Sequence, residues 1–117
     1  MVYNEDSFLE DIQKLPKLHQ VAFAASCCER LLPVYQAFQK SEQWGNFEML
    51  RACLDTIWES IKQGKAENER FESMIAECEK VIPDSEDFGG LYICGAQYAP
   101  ICIIHTLEYC QNNDIED

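Results

Sequence analysis

The side chains most capable of chemistry in this sequence are seven cysteines and two histidines. Cys102 and His105 are three positions apart, so on a helix they could meet as the thiol and the base of a nucleophilic pair. Both lie in the most apolar stretch of the chain, which favours inert packing instead. We expect most of the cysteines to be small buried hydrophobic residues; they are Cys27, Cys28, Cys53, Cys78, Cys94, Cys102 and Cys110.

The spacing of these residues does not indicate a metal site or a disulfide framework. The adjacent Cys27 and Cys28 point about 100° apart on a helix, so they cannot easily share one tetrahedral metal ion. His19 and His105 have no partner at ligand spacing. The odd number of cysteines and the acidic first residues, which do not resemble a signal peptide, predict free thiols in the cytoplasm. We expect no metal and no other cofactor.

Charged residues on two predicted helices are the most specific polar feature. Asp55 and Glu59 are four residues apart and flank Trp58, while Glu29 and Arg30 are adjacent on an earlier helix. Arg30 facing Asp55 or Glu59 would give a partly buried ion pair that fixes how the two helices dock. The alternative is acid–base chemistry by this carboxylate cluster, but nothing in the sequence supplies a substrate pocket. We predict a structural ion pair and no catalytic residue.

The charge balance is strongly acidic, because 21 Asp and Glu against 9 Lys and Arg give a net charge of -12. Residues 81–117 contain seven acidic residues and no Lys or Arg. Such a field repels nucleic acids and anionic membranes and attracts basic proteins; acidity can also serve solubility alone. The candidate partner-binding residues are Asp84, Glu86, Asp87, Asp114, Glu116 and Asp117, together with Glu67, Glu69 and Glu72 on an acidic helix side.

Apolar residues recur every three or four positions through most of the chain, and no alternating strand pattern persists. This spacing predicts an all-α fold, a single-domain bundle of about five helices over residues 1–117. The first helix is expected to begin with a capping box at Ser7 and to end before Pro16. The other four helices are predicted over about 17–40, 47–63, 66–81 and 91–111.

Local signals predict where these helices begin, end and bend. Asn46 should cap the third helix and Gly64 should end it. Pro33 and Pro100 lie inside two helices and should kink them, and Pro33 could break its helix. Residues 88–107 contain no charged residue, but glycines, prolines and acidic flanks favour a buried central helix over a transmembrane one.

Three segments of the chain, in the same order, resemble motifs of the YjaG-like bacterial family. Residues 28–38 resemble its CER-x-x-P-x-Y-x-x-F segment, residues 54–59 its LD-x-IWE segment and residues 82–88 its IP-x-x-x-DF segment. The resemblance implies a helical fold and little about mechanism, because the family is a domain of unknown function. Typical members continue for more helices past the point where this chain ends, so we interpret it as a shortened version.

Our first hypothesis for function is a cytoplasmic binding protein rather than an enzyme. Bacterial immunity proteins are short and often acidic and need no catalytic residues, and many of the toxins that they neutralise are nucleases with basic active-site surfaces. An acidic surface masks such a site by mimicking phosphate charge. The alternative is a housekeeping role shared with the longer YjaG-like proteins, with an activity centred on Glu29, Arg30, Asp55 and Glu59. In that case these four side chains should line one open pocket.

Overall fold

The computed structural model describes Glu10, residues 16–65 and residues 67–112. This part of the chain is entirely helical outside its turns and loops, which confirms the predicted all-α class. It contains four long helices, whereas the sequence predicted about five. The predicted first helix lies outside the described residues except for Glu10. The helices are α1 (Lys17–Glu42), α2 (Phe47–Gln63), α3 (Asn68–Glu79) and α4 (Ile93–Asn112).

The ends of α2 follow the local signals in the sequence. The Asn46 side chain accepts a hydrogen bond of 3.0 Å from the Met49 amide, which satisfies one of the free donors at the helix start. Gly64 ends the helix in the left-handed region with a φ of 74°, and its amide donates to the Ser60 carbonyl. Both predictions are confirmed. α1, in contrast, continues to Glu42, two residues past its predicted end, and stops at Gln43, whose backbone is in the left-handed region.

Both prolines predicted inside helices lie there, but neither interrupts its helix. α1 continues through Pro33 and α4 through Pro100, so the break that the sequence allowed at Pro33 does not occur. Leu32 and Tyr35, on either side of Pro33 in α1, are both buried in the core. Burying these two side chains stabilises the helix by more than the roughly 3 kcal/mol that an interior proline costs.

α1 and α4 lie antiparallel in close contact. The Tyr109 hydroxyl donates to the Gln20 side chain over 2.8 Å at one end of the pair, and Val34 lies against Gly95 at the other. A Cβ atom at Gly95 would lie 2.3 Å from Cγ1 of Val34, so only a residue without a side chain allows this approach. The register of these contacts also brings Cys28 opposite Cys102.

α4 is the central helix, as the sequence predicted, because it packs extensively against both α1 and α3 and also contacts α2. α3 runs antiparallel to it: the Gln97 amide donates to the Pro83 carbonyl after α3, and the Gln111 amide to the Asn68 carbonyl at its start. None of the described helices combines the length and apolar character needed to cross a membrane. The largest core side chains are Leu32, Tyr35, Phe38, Leu50, Leu54, Ile57, Phe71, Ile103 and Leu107.

Candidate functional site

A cluster of three charged side chains and one indole connects α1 to α2. The Arg51 guanidinium donates to both carboxylate oxygens of Glu29, over 2.8 and 2.6 Å, and to Asp55 over 2.8 Å. The indole of Trp58 donates to the same Glu29 carboxylate over 2.9 Å. A two-pronged guanidinium–carboxylate contact fixes orientation, so this cluster sets how α1 and α2 dock.

The cation in this cluster is Arg51, and the prediction of Arg30 from the sequence is wrong. Positions 51, 55 and 58 share one face of α2 at helical spacing and face Glu29, while Arg30 is turned about 100° away from Glu29 and is exposed. Glu59 accepts instead from Gln63 over 3.0 Å. The spacing of Arg51 and Asp55, four residues apart, was the signal that could have identified this pair.

The Glu29 carboxylate should contribute to the pH dependence of stability. The Arg51 guanidinium, aided by the Trp58 indole, holds the pKa of Glu29 below its ordinary range. A carboxylate whose pKa is lowered by folding stabilises the protein above its unfolded value of about 4.3 and loses that contribution as the pH falls further. The Glu29→Gln variant should therefore lose less stability than the wild type between about pH 6 and pH 3.5, measured by urea unfolding.

A matched control for that measurement is Glu59→Gln, which removes a carboxylate that does not contact Arg51. Its loss of stability over the same pH interval should equal that of the wild type. An identical pH dependence in the wild type and in Glu29→Gln would contradict the role that we give to the Arg51 pair.

The four residues of the enzymatic alternative do not line one pocket. Asp55 and Glu59 border a cleft of about 220 Å³ between α2 and α3, together with Arg70. Glu29 and Arg30 are not among the residues that line it, and Glu29 is bonded to Arg51 and Trp58. The Glu29 carboxylate is therefore occupied by the contact between α1 and α2.

The loop between α3 and α4 presents acidic and apolar side chains together, and we name residues 84–92 the acidic–apolar loop. The Asp84 carboxylate accepts from the Glu86 amide over 2.8 Å, which forms a turn. Glu86 and Asp87 are exposed. Leu91 and Tyr92 follow them with 88% and 39% of their surface exposed. Exposed large apolar residues within the same short loop as exposed carboxylates make this loop a candidate protein contact surface.

The base of the acidic–apolar loop is fixed to the core by aromatic rings. The Phe88 ring lies 5.3 Å from that of Phe38 and 5.2 Å from that of Trp44. Just before the loop, the Tyr35 hydroxyl donates to the Val81 carbonyl over 2.8 Å. The chain is therefore held at both ends of residues 81–88. Leu91 was not predicted as a surface residue, because its apolar spacing placed it inside the last helix.

The other predicted acidic residues do not join this loop. Glu67, Glu69 and Glu72 lie at the start of α3, and the loop follows its end, about 18 Å away along the 12-residue helix. Glu67 pairs with Arg70 at 3.9 Å, and Glu72 accepts from Gln111 at 2.8 Å. The remaining three predicted residues, Asp114, Glu116 and Asp117, lie outside the described residues.

An apolar groove of about 700 Å³ runs between α1 and α4. Cys102 and His105 both line it, so the two side chains lie on the same side of α4. The sulfur of Cys102, however, accepts a hydrogen bond from Cys28. Across the residues that the structure describes, no three His, Cys, Asp or Glu side chains are grouped in a way that would hold a metal ion.

Comparison with known proteins places the chain in a family. The family model described as "Protein of unknown function (DUF416)" matches residues 7–117. This chain belongs to the DUF416 family. The uncharacterized YjaG proteins of Salmonella typhimurium and Escherichia coli K12 are each 33% identical to it over 79 residues. That alignment covers 66% of this DUF416 chain and 39% of each YjaG protein, so the chain spans about two fifths of their length.

A solved structure supports the same fold. The DUF416 family protein from Shewanella baltica OS155 superposes with a TM-score of 0.81 at 24% sequence identity. The superposition covers 90% of this chain and 53% of that one. The resemblance to YjaG-like proteins inferred from three sequence motifs is therefore confirmed, and with it the helical architecture.

The three motifs of this DUF416 chain contact one another in the structure. Glu29 of the first motif accepts from Trp58 of the second. Phe38 of the first packs edge-on against Phe88 of the third. In this chain the motif residues therefore connect α1 to α2 and to the base of the acidic–apolar loop. These contacts hold the elements of the fold together.

Proposed function

We propose that this DUF416 chain is a non-catalytic binding protein that captures a basic protein partner through the acidic–apolar loop. The observation that carries the proposal is the exposure of Leu91 and Tyr92 next to Glu86 and Asp87. The carboxylates steer a basic partner and set the register of contact, while the apolar side chains supply burial at the centre of an interface.

The scaffold behind the loop suits this function. Phe88 is wedged between Phe38 and Trp44, and Asp84 organises the turn. A surface that is fixed before binding loses little conformational entropy when a partner docks. The net charge of -12 adds long-range attraction for basic proteins.

We further propose that the partner is a toxin with a basic active site, such as a nuclease, and that binding occurs in the cytoplasm. Exposed carboxylates beside apolar anchors can occupy a site built for phosphate groups. All seven cysteines are free thiols in the structure, which is typical of proteins in a reducing compartment. In this function the chain acts as an immunity protein and needs no catalytic residue.

The test is affinity capture from a lysate of the native host at low salt, followed by elution with salt and identification of the retained proteins. We expect a basic protein to bind the wild type and to elute as salt rises. The Glu86→Gln/Asp87→Asn variant should retain at least tenfold less of it, because each lost charge contact at an interface costs about 1 kcal/mol or more.

The matched control is Glu69→Gln/Glu72→Gln, which removes the same charge from the other end of α3. This variant should retain the partner as the wild type does. Equal loss in both variants would show that net charge and not the loop is responsible. Retention of no basic protein by the wild type would contradict the proposal altogether.

A further inference from the structure

The thiols of Cys28 and Cys102 meet between α1 and α4 although 74 positions separate them in the sequence. Their sulfur atoms are 3.0 Å apart, about 1 Å more than the ~2.05 Å of a disulfide bond. We propose that Cys28 and Cys102 are a hydroperoxide-sensitive thiol pair, in which Cys102 is oxidised first and Cys28 then closes a reversible disulfide.

The close approach of α1 and α4 favours such a bond. Gly95 on α4 lies against Val34 on α1 with no room for a Cβ, and the sulfur atoms of Cys28 and Cys102 meet at the same helix pair. Disulfide bonds require Cα atoms about 4.4–6.8 Å apart, which is closer than the 8–10 Å between the axes of most packed helices. The absence of a side chain at Gly95 lets the two helices come closer than a larger residue would.

The order of the two steps follows from access. Cys102 is half-buried and lines the apolar groove, which opens to solvent. Cys28 has no exposed surface, so a hydroperoxide that enters the groove meets the Cys102 sulfur and not the Cys28 sulfur. Cys28 is then already in position to attack the oxidised Cys102.

The protonation of the pair favours the same order. The Cys28 thiol donates to the Cys102 sulfur, and this hydrogen bond lowers the pKa of Cys102 to about 7. The same bond, together with burial, raises the pKa of Cys28 far above its ordinary value. The thiolate is the nucleophile toward peroxides, so Cys102 is the more reactive member.

The chemistry balances with a hydroperoxide as the two-electron oxidant. The Cys102 thiolate attacks the outer peroxide oxygen, an S–O bond forms, the O–O bond breaks, and hydroxide or alkoxide leaves. The Cys28 sulfur then attacks the sulfur of the Cys102 sulfenic acid. The S–S bond forms, the S–O bond breaks, and the hydroxyl leaves as water with the Cys28 proton. A dithiol reductant restores both thiols.

A second pair of cysteines provides an internal control. The sulfur atoms of Cys53 and Cys78 are 3.9 Å apart, and both residues are buried in the core, with 4% and 0% of their surface exposed. Cys53 borders a separate cleft of about 180 Å³, but it is less exposed than Cys102, and its sulfur lies farther from that of its partner than the Cys102 sulfur does. We therefore expect this pair to be oxidised much more slowly than Cys102.

The experiment treats the reduced full chain with stoichiometric hydrogen peroxide, blocks remaining thiols and maps disulfide-linked peptides by mass spectrometry without reductant. We expect one dominant intramolecular link, between the peptides that contain Cys28 and Cys102, reversed by dithiothreitol. Cys27→Ser should keep this link and Cys28→Ser should lose it, which identifies the partner among the adjacent cysteines.

Trapping with dimedone tests the order of the steps. The Cys28→Ser variant should accumulate at least tenfold more trapped Cys102 sulfenic acid than the wild type, since its resolving thiol is gone. A link between Cys53 and Cys78 instead, or oxidation confined to the exposed Cys94, would overturn the proposal. The mapping of the wild type needs no variant, so the test holds even where a substitution prevents folding.

Discussion

Phe38→Ala is expected to lower the free energy of unfolding by about 4 kcal/mol, because it removes a large side chain from the centre of the core. Phe38 is 1% exposed, and its ring contacts those of Trp44 and Phe88 at 6.3 and 5.3 Å between centroids. Truncation leaves a cavity among aromatic groups that cannot collapse without moving the loop. Equilibrium urea unfolding measures the change, which is a large part of the roughly 5–15 kcal/mol of a typical domain.

The same substitution should weaken partner capture under conditions in which the variant is still folded, since Phe88 fixes the acidic–apolar loop. Leu91→Ala separates the effect on binding from the effect on stability, because its side chain is 88% exposed. Its stability should stay within about 0.5 kcal/mol of the wild type, while its capture of the partner falls. A cost below about 1 kcal/mol for Phe38→Ala would contradict the role of the aromatic cluster.

Gly95→Ala is expected to cost about 2 kcal/mol, although alanine favours helices by up to about 1 kcal/mol over glycine. The new Cβ would lie 2.3 Å from Cγ1 and 3.1 Å from Cβ of Val34. Val34 has a branched side chain with few rotamers, so α1 and α4 must move apart. Thermal or urea unfolding measures the loss, and the wider spacing should also slow formation of the Cys28–Cys102 disulfide.

A double-mutant cycle isolates the cause of the stability lost in Gly95→Ala. Val34→Ala removes the Cγ1 contact and leaves only the 3.1 Å contact with the Cβ atom of residue 34, so in that background Gly95→Ala should cost at least about 1 kcal/mol less than in the wild type. Gly89→Ala is the surface control, because a Cβ there meets no atom within 4 Å. If Gly95→Ala is equally destabilising in both backgrounds, close packing against Val34 is not the reason for glycine at this position.

The parts of the fold that were predictable depend on local signals. The bounds of α2 follow from Asn46 and Gly64, whose effects on a helix end require only neighbouring residues. The all-α class follows from apolar spacing along each helix. The continuity of α1 through Pro33 was not predictable, because the energy that maintains it comes from core contacts of Leu32 and Tyr35, which are not local.

The parts of the candidate site that were not predictable depend on how the helices rotate and align. Arg51 and not Arg30 meets Glu29, because the rotation of α2 turns positions 51, 55 and 58 toward α1. The meeting of Cys28 and Cys102 requires the register between two helices at opposite ends of the sequence. The exposure of Leu91 depends on α4 beginning at Ile93, two residues later than the apolar spacing predicted.

The acidic residues also show the difference between position in the sequence and placement in the fold. Their concentration after Lys80 is visible in the sequence. In the structure, the candidate binding residues that are described lie in two groups, one in the first half of α3 and one in the loop after its end. Only the group at residues 84–87 adjoins exposed apolar side chains. This difference is the reason that the acidic–apolar loop, and not the start of α3, carries the proposed function.

Hydrogen–deuterium exchange of the chain, alone and with the basic partner recovered by affinity capture, tests the binding surface most directly. We expect binding to slow amide exchange within residues 84–92, and we expect this protection to be absent in Glu86→Gln/Asp87→Asn. Protection confined to the groove between α1 and α4, with unchanged exchange in residues 84–92, would contradict the proposed role of the acidic–apolar loop.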